Sequence, residues 1–214
     1  VPCNKIGQER KFLTKKKKPK KLPFILIFIV ALLLVFSLLF APKIVDQGYE
    51  YLYPLNYYAI VAQYSAEYDL DAYLVMALIR TESNFNPEAV SEAGAIGLAQ
   101  IMPETGQWLS EKMQLTPYSE EMLYIPETSI QLCCYYLDLL IDRYENIDTA
   151  LAAYNAGMGT VSNWLADSAY SEDGATLSAI PYDETRNYVQ RVGDAYAIYL
   201  KLYAETESEV KETA

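Results

Sequence analysis

The sequence predicts an all-α (mainly α) domain preceded by one N-terminal transmembrane helix. Three observations lead there. From residue 57 onward apolar residues recur at spacings of three and four, the mark of helices with one buried face. No stretch keeps the strict alternation of a half-buried strand. Residues 22–41 form one long run in which only Pro23 and Ser37 are not plainly apolar.

The chain opens on a basic tail, residues 1–21, with nine basic residues and one acid, a charge of +8. The whole chain has 17 Lys+Arg, 28 Asp+Glu and a net charge of −11, so residues 22–214 hold eight basic and 27 acidic residues, a charge of −19. A basic tail joined to an acidic domain points to two compartments. At about 1.5 Å per residue the run 22–41 is roughly 30 Å long, the thickness of a bilayer core. A core helix of a soluble protein is the alternative. The uninterrupted run and the Lys cluster on one flank favour the membrane. The positive-inside rule then keeps residues 1–21 cytoplasmic and faces residues 43–214 outward. The exit, Leu38-Leu39-Phe40-Ala41-Pro42, lacks small residues at both positions that a signal peptidase reads. An uncleaved signal anchor is therefore expected rather than a cleaved signal peptide. Beside a membrane segment the Lys run reads as orientation and contact with anionic lipid, not as a nucleic-acid patch.

Residues 42–56 read as a short stalk, with Pro42, Gly48 and Pro54 as breakers. Tyr57 to Tyr68 is a first helix. Leu70 to Glu82 is a second, apolar all round and so expected at the centre. Residues 84–101 are rich in Gly, Ala, Asn and Pro and should be irregular, with room for a small β-hairpin. Pro103-Glu104 begins a third helix, since Pro is at home in a first turn. Pro126 to Tyr144 is a long helix with apolar residues at 130, 133, 134, 137, 140, 141 and 144. Asp148 or Thr149 caps the next, which stops near Asn155-Ala156-Gly157. Gly159 to Leu165 is short, and 167–183 is a polar loop. A last helix from Glu184 to about Thr206 sets Tyr188, Val192, Tyr196, Tyr199 and Tyr203 on one stripe. The domain is thus residues 57–206, followed by an acidic tail, 207–214.

Composition narrows the chemistry. The chain has no His, which excludes an imidazole base and a His-ligated zinc site. Its three Cys fall on both sides of the predicted membrane span. Cys3 is in the tail. Cys133 and Cys134 are neighbours on a helix, where their Cβ atoms point about 100° apart and should not bridge. No metal and no organic cofactor is implied. What stands out is Glu82. It ends the apolar run that begins at Leu70, and Ser83-Asn84-Phe85-Asn86-Pro87 follows at once. A carboxylate between a dry helix and an open loop is placed to be a general acid. Alone, it reads better as a surface glutamate at a helix end.

Four segments together say more. They are Glu82-Ser83-Asn84-Phe85-Asn86-Pro87, Gly94-Ala95-Ile96-Gly97-Leu98-Ala99-Gln100-Ile101-Met102-Pro103, Ala153-Tyr154-Asn155-Ala156-Gly157, and Ile180-Pro181-Tyr182-Asp183-Glu184-Thr185-Arg186-Asn187-Tyr188-Val189. In this order they resemble the lytic transglycosylase domain of the soluble Slt type, related to goose-type lysozyme. The resemblance covers about residues 57–203. It implies a lysozyme-like fold and cleavage of the β-1,4 bond between N-acetylmuramic acid and N-acetylglucosamine in peptidoglycan. It implies a single glutamate as acid and then base, and a product ending in a 1,6-anhydro sugar. By the resemblance that glutamate is Glu82, and Ser83, Gly97, Gln100, Tyr154, Asn155, Glu184 and Tyr188 bind the substrate. Tyr154 is expected to hydrogen-bond Glu82 or to flank the cationic ring. Two departures stand out. Ala99 replaces the family's usual Met in the glycine loop. Ser129-Ile130 and Cys133 replace Asn-Ile and Gly on the long helix.

The implied partners are glycan strands and, through one helix, the bacterial cell membrane, with no nucleic acid. Two other readings stay open: a hydrolytic muramidase, for which Asp69, Asp71 or Glu88 would supply a second acid, and a non-catalytic wall-binding subunit.

Overall fold

The computed structural model describes residues 24–204, with the side chains of 24, 25 and 41–47 left aside. The basic tail, Cys3, the acidic tail and the final residues of the last predicted helix lie outside the described residues. The chain divides into two compact units, one ending at Val45 and one beginning at Asp46.

Helix α1 runs Phe24–Leu52. It continues through Pro42 and Gly48, so the predicted stalk is helical up to Leu52. A proline removes one N–H from the helical ladder, and the ladder resumes beyond it here. The described side chains from Leu26 to Phe40 are all exposed. Among the described residues no helix is long and apolar enough to cross a membrane. The predicted span 22–41 runs past the described side chains at both ends.

The second unit is helical. It holds α2 (Tyr58–Glu67), α3 (Ala72–Ser83), α4 (Pro103–Lys112), α5 (Pro126–Tyr144), α6 (Ile147–Ala156), α7 (Met158–Leu165) and α8 (Asp183–Tyr199). A 3-10 turn at Glu120–Tyr124, which the sequence did not announce, precedes α5, and a π-turn at Leu200–Ala204 follows α8. Among the described residues there is no strand. The hairpin expected in 84–101 is reduced to two isolated antiparallel bridges, Val90 with Ile96 and Ile96 with Ile101.

As its apolar run predicts, α3 is central, packing against α2 and α8. Tyr73 through Ile79 are all buried. Asp71 caps its start, accepting from the Tyr73 N–H at 2.7 Å. The stripe on α5 is likewise buried at Ile130, Cys133, Cys134, Leu137, Leu140 and Tyr144, with Ile141 partly so, and it faces α6. Each such Leu or Ile adds about 1.5 to 3 kcal/mol over its exposed state. Cys133 and Cys134 are free and buried. The cap of α6 is Asn146, which accepts from the Thr149 N–H at 2.9 Å, not Asp148 or Thr149. Asn is as good a cap as Asp, and Ile147 already has helical geometry.

The entering segment is fastened to the domain by its backbone carbonyls. Arg80 Nε donates to Leu52 O at 2.9 Å, Tyr203 Oη to Tyr53 O at 2.8 Å and Tyr199 Oη to Pro54 O at 3.1 Å.

Candidate active site

Helix α3 ends abruptly, and the manner of its ending places Glu82. Asn84 and Phe85 follow with φ of 50° and 62°. A bulky residue at positive φ is strained, and Phe85 is held there by burial, with 5 % of its surface exposed. Ser83 Oγ donates to the carbonyl of Leu98 at 2.8 Å. The last turn of α3 is thereby tied to the glycine loop.

Glu82 is half-buried, and its Oε1 accepts a 2.6 Å hydrogen bond from the Tyr188 hydroxyl of α8. Burial pushes its carboxyl up from the ordinary 4.5 to about 7. The Tyr188 hydrogen bond and the positive charge of Arg191 pull the other way and only moderate the rise. Near neutral pH such a group is shared between acid and base forms.

A pocket of about 540 Å³ opens on this carboxyl. Of the eight residues that sequence reasoning nominated, Glu82, Gln100, Tyr154, Asn155, Glu184 and Tyr188 line it. The six arrive from four places in the chain: the end of α3, the glycine loop, the end of α6 and the start of α8. Gln100 comes from the glycine loop at φ 48°. Its Nε2 donates to the carbonyls of Gly97 at 3.0 Å and Ala89 at 3.2 Å, which fixes the amide and leaves its oxygen to accept. Asn155, near the end of α6, accepts from Thr185 Oγ1 at 2.8 Å, which leaves its NH₂ to donate. Glu184 is exposed in the first turn of α8. Arg186 holds that turn by donating to Asp183 and, at 2.7 Å, to Ile180 O.

Ser83 and Gly97 are not among the pocket's lining residues. The Ser83 hydroxyl is taken by Leu98. Gly97, at φ 78°, is needed for close packing: a Cβ there would lie 2.0 Å from the Leu123 carbonyl oxygen. The two tyrosines divide the work otherwise than expected. The Tyr154 hydroxyl donates to Ala99 O at 2.9 Å, with Cys133 Sγ at 3.7 Å, and it is Tyr188 that bonds Glu82. The departures from the family pattern meet at the same loop. Ala99 is fully buried, and its N–H donates to Ser129 Oγ at 3.4 Å.

Sequence reasoning missed Arg191, Glu92 and Met102 on the pocket wall, and Thr185 and Ser129 behind it. Met102 lies inside the second motif and Thr185 inside the fourth, and Ser129 stood out as a departure from the family pattern. Arg191 sits one helical turn beyond Tyr188 and could have been found by that spacing. The other acids considered are elsewhere. Asp71 caps the opposite end of α3, about 16 Å from Glu82 by helix rise, and accepts from Tyr196. Asp69 adjoins it, and Glu88 does not line the pocket. The pocket's other carboxylates are Glu92 and Glu184. Among the described residues no group of three His, Cys, Asp or Glu is placed to hold a metal ion. A larger groove, about 880 Å³, lies at the end of α5 around Tyr144 and Asp173. It contains neither Glu82 nor any residue of the four motifs.

Comparison with known proteins identifies the family and the fold. The soluble lytic murein transglycosylase of Salmonella typhimurium is 36% identical over 159 residues, 73% of this chain and 25% of that protein. The membrane-bound lytic murein transglycosylase C of Shigella sonnei is 30% identical over 167 residues, 67% of this chain and 46% of the other. The crystal structure of the 70 kDa soluble lytic transglycosylase of Escherichia coli superposes with a TM-score of 0.63 at 33% identity, covering 72% of this chain and 25% of that one. The chain thus spans about a quarter of the length of the soluble relatives, and shares their mainly helical, lysozyme-like fold. Residues 59–176 match the family described as the transglycosylase SLT domain, and the chain belongs to that family.

Proposed function

We propose that the chain is a peptidoglycan lytic transglycosylase with Glu82 as its one acid and base. The observation that carries this reading is the Glu82 carboxyl, buried enough to hold a proton near pH 7 and open to a pocket. Family membership and the lytic murein transglycosylases among its relatives support it. The substrate is a glycan strand of alternating N-acetylmuramic acid and N-acetylglucosamine.

Protonated Glu82 donates to the glycosidic oxygen as the bond to C1 breaks, and the N-acetylglucosamine leaves with that proton as a new hydroxyl. The muramyl C1 becomes cationic, and the 2-acetamido group of the same sugar stabilises it. The Glu82 carboxylate then takes the proton of the C6 hydroxyl, whose oxygen closes on C1. The product is a 1,6-anhydro end, Glu82 regains its proton, and no water is added. Most glycosidases need a second carboxylate as nucleophile or base. Here the nucleophile lies within the substrate, so one carboxyl suffices. Tyr188 holds the Glu82 carboxyl in place. The Gln100 oxygen and the Asn155 NH₂ are the free polar ends that orient the sugar.

Peptidoglycan digested with the protein should yield fragments ending in 1,6-anhydro-muramic acid, lighter by one water than hydrolysed ends. Mass analysis of the released muropeptides reads this directly. Reducing ends would mean that Glu184 or Glu92, both on the pocket wall, activates water, and that the enzyme is a muramidase. Intact peptidoglycan would leave a wall-binding subunit.

The protein also reads as a single-pass protein of the bacterial cell membrane, with its N-terminus cytoplasmic and the SLT domain outside. Support comes from the apolar run 22–41, the basic residues on one flank and the exposed apolar side chains from Leu26 to Phe40. Removing residues 1–45 should move the protein from the membrane fraction to the soluble one. A truncated protein that still sediments with membranes would refute the anchor.

A further inference from the structure

The pocket at Glu82 has a neighbour. Thr81 and Arg191 line both it and a second cavity of about 420 Å³, whose other walls are Tyr53, Arg80, Asn84, Asp194 and Ala195 at the junction of α3 and α8. This cavity is a local exception in charge. Residues 22–214 carry −19, yet here two guanidinium groups face one carboxylate. Among the described residues the sole ion pair joins Arg186 to Asp183, so neither Arg80 nor Arg191 makes a salt bridge, although the Glu82 carboxyl lies near enough to Arg191 to feel its charge.

Arg80 is prepared in a particular way. Its Nε is bound to the Leu52 carbonyl at 2.9 Å, and its guanidinium lies 3.8 Å from the centre of the Tyr53 ring. Both contacts hold the planar group still. Its two terminal nitrogens have no described acceptor. A fixed guanidinium with free N–H groups is a receptor for a carboxylate, and the cost of ordering it is already met by the fold. In an intact strand the lactyl carboxyl of each muramyl residue is taken up in the amide to its peptide, so the sugars carry no charge that would call for such a receptor. The peptide branches on its muramyl residues do, since they carry free carboxylates.

We propose that the cavity between Arg80 and Arg191 binds the carboxylates of the peptide branch of the strand whose glycosidic bond lies at Glu82. The proposal rests on the transglycosylase reading for the identity of the strand. It makes this enzyme selective for peptide-bearing over bare glycan. Arg191 belongs to both cavities and links the two parts of one substrate.

The test uses the full chain in detergent with two substrates, glycan strands carrying their peptides and the same strands stripped by an amidase and then amidated at the freed muramyl lactyl carboxyls. The wild type should cleave the peptide-bearing strands with the higher kcat/KM. Arg191→Gln and, separately, Arg80→Gln should each reduce that preference about tenfold, the worth of one charge-assisted hydrogen bond, chiefly through KM. Any effect of Arg191 on the acidity of Glu82 falls on both substrates and cancels in the ratio. A wild type without preference, or variants that keep it in full, would overturn the proposal.

Cleavage of neither strand would instead refute the transglycosylase reading. Titration with the free peptide L-Ala-γ-D-Glu-L-Lys-D-Ala then decides the matter alone. Binding that is lost in Arg191→Gln supports the cavity, and absent or unaltered binding overturns it.

Discussion

Helices α1 and α3 are both built on apolar runs, and the chain puts them to opposite uses. In α1 the side chains from Leu26 to Phe40 all face outward, with Phe28 69 % and Leu34 60 % exposed. In α3 Val75, Met76, Ala77, Leu78 and Ile79 are wholly buried. What separates them is the polar residue each run tolerates. The α1 run holds no charge. The α3 run ends in a carboxylate, and the dryness around it changes what that carboxylate does. Burial in α3 is therefore chemical as well as structural, because it keeps a proton on Glu82 that water would remove.

The largest expected effect is on that proton. Glu82→Gln keeps the shape and the acceptor for Tyr188 but has no proton to transfer. It should lower kcat by about a thousandfold or more, as loss of a general acid does. Turnover of peptidoglycan by the variant and the wild type, measured side by side, tests this, and retained activity would end the assignment. Next comes a matched pair of substitutions. Leu78→Ala empties a fully buried site and should cost the domain about 3 kcal/mol, whereas Leu34→Ala should change the unfolding of the same domain by less than about 0.5 kcal/mol. Urea unfolding of both variants checks the contrast, and equal losses would break it.

A third effect concerns pH. The folded state holds the Glu82 proton more tightly than the unfolded chain. This contribution to stability is fully present below about pH 4.5 and is lost as pH rises through about 7. Glu82→Gln suffers no such loss. It should be the more stable protein at pH 8 by at most about 3 kcal/mol and should match the wild type near pH 4. Unfolding curves at the two pH values decide it, and a gap that does not narrow on acidification counts against burial as the cause. The smallest effect is that of Tyr188→Phe. Losing the hydroxyl removes a bond that lowers the Glu82 pKa, so the alkaline limb of the pH–rate profile should move upward. A downward move would mean that the hydroxyl favours the protonated form.

Much of this was legible in the chain. The central place of α3 followed from its unbroken apolar run, and the buried stripe of α5 from spacings of three and four. Glu82 drew notice as a carboxylate at the end of such a run, and the four motifs together made it the candidate. Its partner was not found. Tyr188 lies 106 residues away, and nothing local distinguishes it from Tyr154, which has the same hydroxyl and a similar motif. Only packing decides which of the two meets Glu82, and the match to the family ends at residue 176, before α8 begins. The role of Gly97 was misread for a related reason. A glycine that admits a ligand and one that admits the Leu123 carbonyl look alike in sequence. The stalk was misjudged because Pro42 and Gly48 weaken a helix without having to end it.

The hydrogen bond from Tyr188 to Glu82 also has a consequence for biogenesis. Glu82 leaves the ribosome 106 residues before its partner hydroxyl, roughly 5 to 20 s at ordinary rates of synthesis. Until α8 docks, α3 lacks one wall, and the carboxyl is an ordinary hydrated anion at neutral pH. On the proposed function, a nascent or interrupted chain that stops short of α8 is therefore inert. The proton-holding carboxyl comes into being only with the last described α-helix of the domain, which builds a delay into the order of the chain itself.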